Sequence, residues 1–165
     1  MGIDNESRLC LGVKLEKEES SEDSEDFYSK SDVLLLYSFL KGRGTTFAPS
    51  YITEGDVWDE DDMDFAELIS KEWQDILELV NEELKKSGSM FRVRYACPSF
   101  DCDSFYVNFY LNYKPVKDTW EHEGISLVEA TNAFNEINVE EMNTLLKEFG
   151  IKEQEPRLFS LPHVY

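Results

Sequence analysis

The residue types that carry most enzyme chemistry are scarce in this 165-residue chain: two histidines, His122 and His163, and three cysteines, Cys10, Cys97 and Cys102. A Cys–His or Ser–His–Asp centre needs a base held beside its nucleophile, and no spacing here sets either histidine against one. Glu121-His122-Glu123 offers ligand types, but alternate positions of a loop rarely converge on one ion unaided. Cys97 and Cys102 are close enough for a redox pair or half of a zinc site. A structural zinc site takes four ligands, and the chain has no second Cys/His pair to complete it. Lys41-Gly-Arg-Gly-Thr-Thr has the residues of a phosphate-cradling loop without the Gly-x4-Gly-Lys spacing. The acids from Asp56 to Asp64 lack the alternating ligands and central glycine of a calcium loop. The expectation is a protein that is not an enzyme, with no catalytic residue, metal or cofactor.

Charge is the stronger signal. Thirty-five acids against sixteen bases give a formal net charge of −19. The excess is concentrated: residues 16–26 hold seven acids and one lysine, and residues 54–64 hold seven acids and no base, so these 22 residues carry −13 of the total. Such a field repels nucleic acid and anionic membranes, both of which need positive charge to displace their counterions. It attracts basic protein surfaces and speeds encounter with them. The expected partner is therefore a basic protein surface, that of a nucleic-acid-binding protein or nuclease complex, with no direct binding of nucleic acid or membrane. The densest cluster is Asp56, Asp59, Glu60, Asp61, Asp62 and Asp64; Glu67, Asp75, Glu78 and Glu82 extend it along the polar side of a helix, interrupted by Lys71. From Asp64 to Glu82 that stripe would run roughly 27 Å. A second candidate surface is the face Tyr106, Asn108, Tyr110 and Asn112, where aromatic rings alternate with amides in the manner of binding loops.

In overall character (small, acidic, poor in motifs and rich in aromatics) the chain resembles DNA-mimicking inhibitors such as phage antirestriction and anti-CRISPR proteins. The likeness is one of composition. It implies an inhibitor that occupies the nucleic-acid-binding surface of its target. A toxin-neutralising immunity protein, blocking a basic toxin's active site, is the rival expectation.

The elements that must position these residues follow from periodicity. Leu9, Leu11, Val13 and Leu15 alternate over 8–15, the mark of a half-buried strand. Residues 16–31 offer little to bury and read as a mobile acidic loop. Residues 32–40 are apolar enough for either a buried strand or a short helix. The clearest element is a helix over 61–86, with Phe65, Leu68, Ile69, Trp73, Ile76, Leu77, Val80 and Leu84 recurring at three and four and Gly88 as its stop. Residues 90–97 and 104–113 alternate and form a hairpin. Ser126 caps one short helix; Asn138 and Glu141 start another, which ends at Gly150 with Ile151 folding back. Residues 157–161 add an edge strand. The expected fold is a single α+β domain over 1–165: an antiparallel sheet with a long hairpin packed against one long helix and two shorter C-terminal helices. No apolar run approaches the roughly 20 residues of a membrane span. The first residues lack the basic and apolar regions of a signal peptide. A cytoplasmic protein with three free thiols is the expectation.

Overall fold

The computed structural model describes residues 7–16, 28–45, 72–96, 108–119 and 125–162. Four strands form one antiparallel sheet in the order β2-β3-β1-β4, where β1 is Ser7–Lys14, β2 is Arg92–Ala96, β3 is Asn108–Thr119 and β4 is Arg157–Pro162. Helices α1 (Tyr28–Gly42) and α2 (Trp73–Lys86) fall between β1 and β2; α3 (Leu127–Glu136) and α4 (Val139–Glu148) fall between β3 and β4. β3 therefore lies between β1 and β2, and each crossover contains helix. This is the split β-α-β connectivity of ferredoxin-like sheets, and it is the α+β arrangement the alternation and helix periods predict.

The segment that was ambiguous from its apolar run is helical. Val33, Leu36, Phe39 and Leu40 are all buried, and their three- and four-residue spacing places them along one side. Phe39 stacks on Phe149, ring centroids 4.2 Å apart, which joins α1 to the end of α4. The same junction holds Arg43, which lies over the Phe39 ring and donates Nε–H to Glu148 at 2.7 Å. α1 begins at Tyr28, so the last four residues of the acidic loop expected over 16–31 are helical, while residues 17–27 lie outside the described residues.

α2 buries Ile76, Leu77, Val80 and Leu84. Trp73 meets the rings of Tyr95 on β2 and Phe109 on β3, at 4.8 and 5.9 Å between centroids. Of the helix expected over 61–86, the described part is Trp73–Lys86; Glu72, at its start, has non-helical φ −110 and ψ 23. Asn81 then ties the helix to the sheet's edge: its Oδ1 accepts from the Val93 N–H at 2.8 Å and its amide donates to the Val93 carbonyl at 2.9 Å. One side chain thus satisfies both outward backbone groups of an edge residue, which blocks further strand pairing there.

The two C-terminal helices start as their caps predict. Ser126 and Glu129 exchange both capping-box hydrogen bonds. Asn138 accepts from the Glu141 N–H at 3.0 Å, but the Glu141 carboxylate accepts at 2.6 Å from Ser89 in the turn after α2. A capping group has become a tie between two helices. At the end of α4, Gly150 takes φ +76 and Ile151 donates to the Leu146 carbonyl at 2.8 Å, with Ile151 buried. That is the Schellman ending.

β3 runs to Thr119, well past the Tyr113 at which its alternation stops being legible. Pro115 hides the continuation. It stands opposite Cys10, where the β1–β3 register shifts, and a strand tolerates proline at such an irregularity.

Candidate functional site

Strand pleating splits the sheet into two surfaces. On one, Leu11, Val13, Leu15, Val93, Phe109 and Leu111 are buried in the main core under the helices. On the other lie Arg92, Arg94 and Ala96 of β2, Asn108, Tyr110 and Asn112 of β3, Cys10, Gly12 and Lys14 of β1, and Arg157 and Phe159 of β4. Cys10 and Ala96 are buried there in a small second cluster, with Tyr110 and Phe159 packed against it.

The second surface is the inside of a curl. Edge strands β2 and β4 bring Cα atoms within 8 Å of each other although two strands lie between them. Small residues make this curvature sterically accessible: Gly12, Cys10 and Ala96 occupy the inner side. Gly12 is the tightest point. A Cβ built there would stand 1.9 Å from the Leu111 carbonyl oxygen and 2.9 Å from Asn112 Oδ1, inside the register shift of β1. No other residue fits without parting the strands. Above it the Tyr110 and Phe159 rings meet edge to face, centroids 5.0 Å apart, across the intervening β1.

Asn112 is 1 % exposed, and neither its Oδ1 nor its Nδ2 has a hydrogen-bond partner. Leaving such a group unpaired in a protein interior costs about 1–3 kcal/mol. The sequence places Asn112 with Tyr110 on an outward, partner-facing surface; the structure places both in the curl, Asn112 closed off and Tyr110 half-buried against Phe159. Alternation assigns the face correctly but cannot show that the face bends inward. Tyr106 lies outside the described residues.

The acid stripe is partly in view. Asp75, Glu78 and Glu82 are exposed on α2, on the side opposite Ile76, Val80 and Leu84. None of the three forms an ion pair among the described residues. Lys86, four residues after Glu82, pairs with Glu83 at 2.8 Å. That hydrogen bond is the main cause holding the Glu83 carboxyl below the usual carboxylate range and the Lys86 ammonium above its own. Asp56, Asp59, Glu60, Asp61, Asp62, Asp64 and Glu67 lie outside the described residues, as do both histidines, Cys97 and Cys102. Cys10 is buried and forms no disulfide with another described residue. Among the described residues no cluster of histidine, cysteine and acid residues has metal-binding geometry. No described helix is long and apolar enough to cross a membrane.

The two candidate surfaces are not brought together. The α2 acids look out from the helical layer, and Tyr110 sits on the other side of the sheet. Sequence reading missed two features. One is the exposed apolar ridge of Leu127 (83 %), Val128 (69 %) and Phe134 on α3; Leu127 and Val128, directly after the Ser126 cap, are its signal in the sequence. The other is the set of arginines on the inner sheet face, for which only strand register gives a signal. No protein-family model, curated protein or solved structure matches this chain.

Proposed function

We propose that this protein binds a basic protein surface, its carboxylates standing where nucleic-acid phosphates would, and so acts as an inhibitor of a nucleic-acid-binding protein. The observation that carries the reading is the row Asp75, Glu78 and Glu82: exposed, without ion pairs among the described residues, and fixed in direction by a helix whose other side is buried. In a chain of net charge −19, unpaired carboxylates on a rigid element attract an opposite field and hold their geometry while doing so.

Spacing sets how literal the mimicry is. Three charges over seven residues of helix span about 10.5 Å, or roughly one per 5 Å. A duplex carries about one phosphate per 1.7 Å of axis and a single strand one per 3.4 Å. α2 alone is thus a sparse copy. It supplies direction, while the acid runs at 16–26 and 54–64 supply charge number.

Capture of partners from cell lysate on the immobilised protein, followed by elution with duplex DNA, tests the reading. A DNA-displaceable partner that is lost when Asp75→Lys, Glu78→Lys and Glu82→Lys are combined supports it. A partner that resists DNA and binds the triple variant equally well overturns it.

A further inference from the structure

A surface helix ordinarily turns its larger apolar side chains toward the core. α3 does the reverse. Its inward residues are small: Ala133 is buried and Ala130 partly so, with the buried Ile137 just past the helix end. Its larger ones, Leu127, Val128 and Phe134, stand exposed. Among the described residues the other large apolar side chains left exposed are Val139, at the start of α4, and Met90. Met90 follows Ser89, whose hydroxyl donates to Glu141 in the first turn of α4. All of them therefore belong to α3 or to the start of α4 beside it. Exposed apolar residues scattered singly are ordinary, whereas a group gathered at one place marks a binding surface.

The order of residues round α3 sets the character of that surface. At about 100° per residue, Leu127, Thr131 and Phe134 fall on one line. The Thr131 hydroxyl donates to the Leu127 carbonyl at 2.7 Å, so its polar group is satisfied by backbone and its methyl extends the apolar line. Val128 lies next round the helix, and Glu129 and Glu136, seven residues apart, lie beyond it. The strip is thus bordered on one side by carboxylates. No base offsets them locally: from Asp118 to Leu146 the chain has seven acids and neither lysine nor arginine.

An apolar strip with an acidic border complements an amphipathic helix whose apolar face is edged by Lys and Arg, since their aliphatic stems pack on the strip while their heads reach the carboxylates. A second copy of this chain fits badly. Packing α3 on α3 would set carboxylates beside one another in two molecules of net charge −19.

We propose that α3, with Val139 of α4, docks a basic amphipathic helix of a partner protein. Leu127, Val128 and Phe134 supply the apolar contact, and Glu129, Glu136 and Glu140 select for positive charge. This surface is separate from the α2 acids and does not require that the partner bind nucleic acid.

Fluorescence anisotropy of labelled synthetic peptides of about 15 residues, long enough to form helix, tests the proposal against the full-length protein at about 0.15 M salt. One peptide has leucine at three- and four-residue spacing and lysine elsewhere. A second replaces its leucines by glutamine, and a third replaces its lysines by glutamate. The leucine–lysine peptide should bind saturably, the glutamine–lysine peptide about tenfold more weakly or worse, the scale of one buried leucine, and the leucine–glutamate peptide not at all. Leu127→Gln combined with Val128→Gln should weaken the first peptide about tenfold or more at unchanged melting temperature, both side chains standing largely in solvent. No saturable binding, or equal binding by wild type and the double variant, would overturn the site. A melting temperature lowered by the double substitution would overturn it in favour of cover by this chain itself. A wild-type dimer in sedimentation that the double variant dissociates would overturn it in favour of a second copy.

Discussion

The two faces of the sheet are built on opposite plans. The face under the helices is filled by large side chains in contact, Phe39 on Phe149 and Trp73 on Phe109 among them, and its polar groups are spent on tying elements together. The curled face is lined by Gly12, Cys10 and Ala96, holds a buried amide without a partner, and keeps arginines that ignore an abundance of acids. Among the described residues, the acid row Asp75, Glu78 and Glu82 lies on the helical side and Arg92, Arg94 and Arg157 lie on the curled one. One face is spent on stability. The other carries a buried amide without a partner, a departure from the rule that buried polar groups are hydrogen-bonded.

Mutations on the two faces should differ accordingly. Phe39→Ala, on the helical side, should cost about 3–5 kcal/mol, as truncation of a buried aromatic does. Denaturant unfolding measures this, and a loss under about 1 kcal/mol would mean that the α1–α4 junction is loose and the contrast between faces is false. Gly12→Ala should cost about 1–3 kcal/mol, the range for overpacking, because its Cβ would meet backbone oxygen rather than a yielding side chain. If it melts with the wild-type protein, the strands part freely at Gly12 and the curl is not closed. Asn112→Leu should go the other way and raise stability by about 1 kcal/mol, since it replaces an unsatisfied amide by an apolar group of similar size. A chain of this length gains roughly 2–4 °C from such a change. A lower melting temperature would show that the amide has a partner in solution.

The Glu83–Lys86 pair should give the smallest effect, because Lys86 stands largely in solvent, where an ion pair adds little. Glu83 has a lowered folded-state pKa, so its contribution is present above the unfolded carboxylate pKa and fades as pH falls through the folded value. Lys86 has a raised one, so its contribution is present below the unfolded ammonium pKa and fades as pH rises through the folded value. Melting curves of Glu83→Gln should lie just below wild type at neutral pH and merge with it in acid. A gap that widens in acid would contradict the pairing.

Local rules made much of this fold legible. Alternation over 8–15 and 90–97, caps at Ser126 and Asn138, and the glycine stops at Gly88 and Gly150 all act within a few residues, and each reappears in the structure. The failures are non-local. Residues 32–40 are buried on most sides because α2 and α4 both pack on α1, and that erases the amphipathic pattern that separates helix from strand. β3 continues through Pro115 because a register shift on β1 accommodates it. The acid row on α2 could be read from a three- and four-residue period. The arginines of the curled face could not: residues 12, 92, 112 and 157 align only through the register of three strand pairs, and no sequence window contains more than one of them.

The association rate between this protein and a DNA-displaceable partner captured from lysate, followed from about 0.05 to 0.5 M salt, tests the central claim most directly, because charge in place of phosphate acts first on encounter. The wild-type rate should fall steeply with salt. The variant combining Asp75→Lys, Glu78→Lys and Glu82→Lys should start slower, at unchanged fold by circular dichroism, and depend on salt more weakly. Equal rates and equal salt slopes for the two proteins would contradict the claim and leave the α2 carboxylates as solubilising charge.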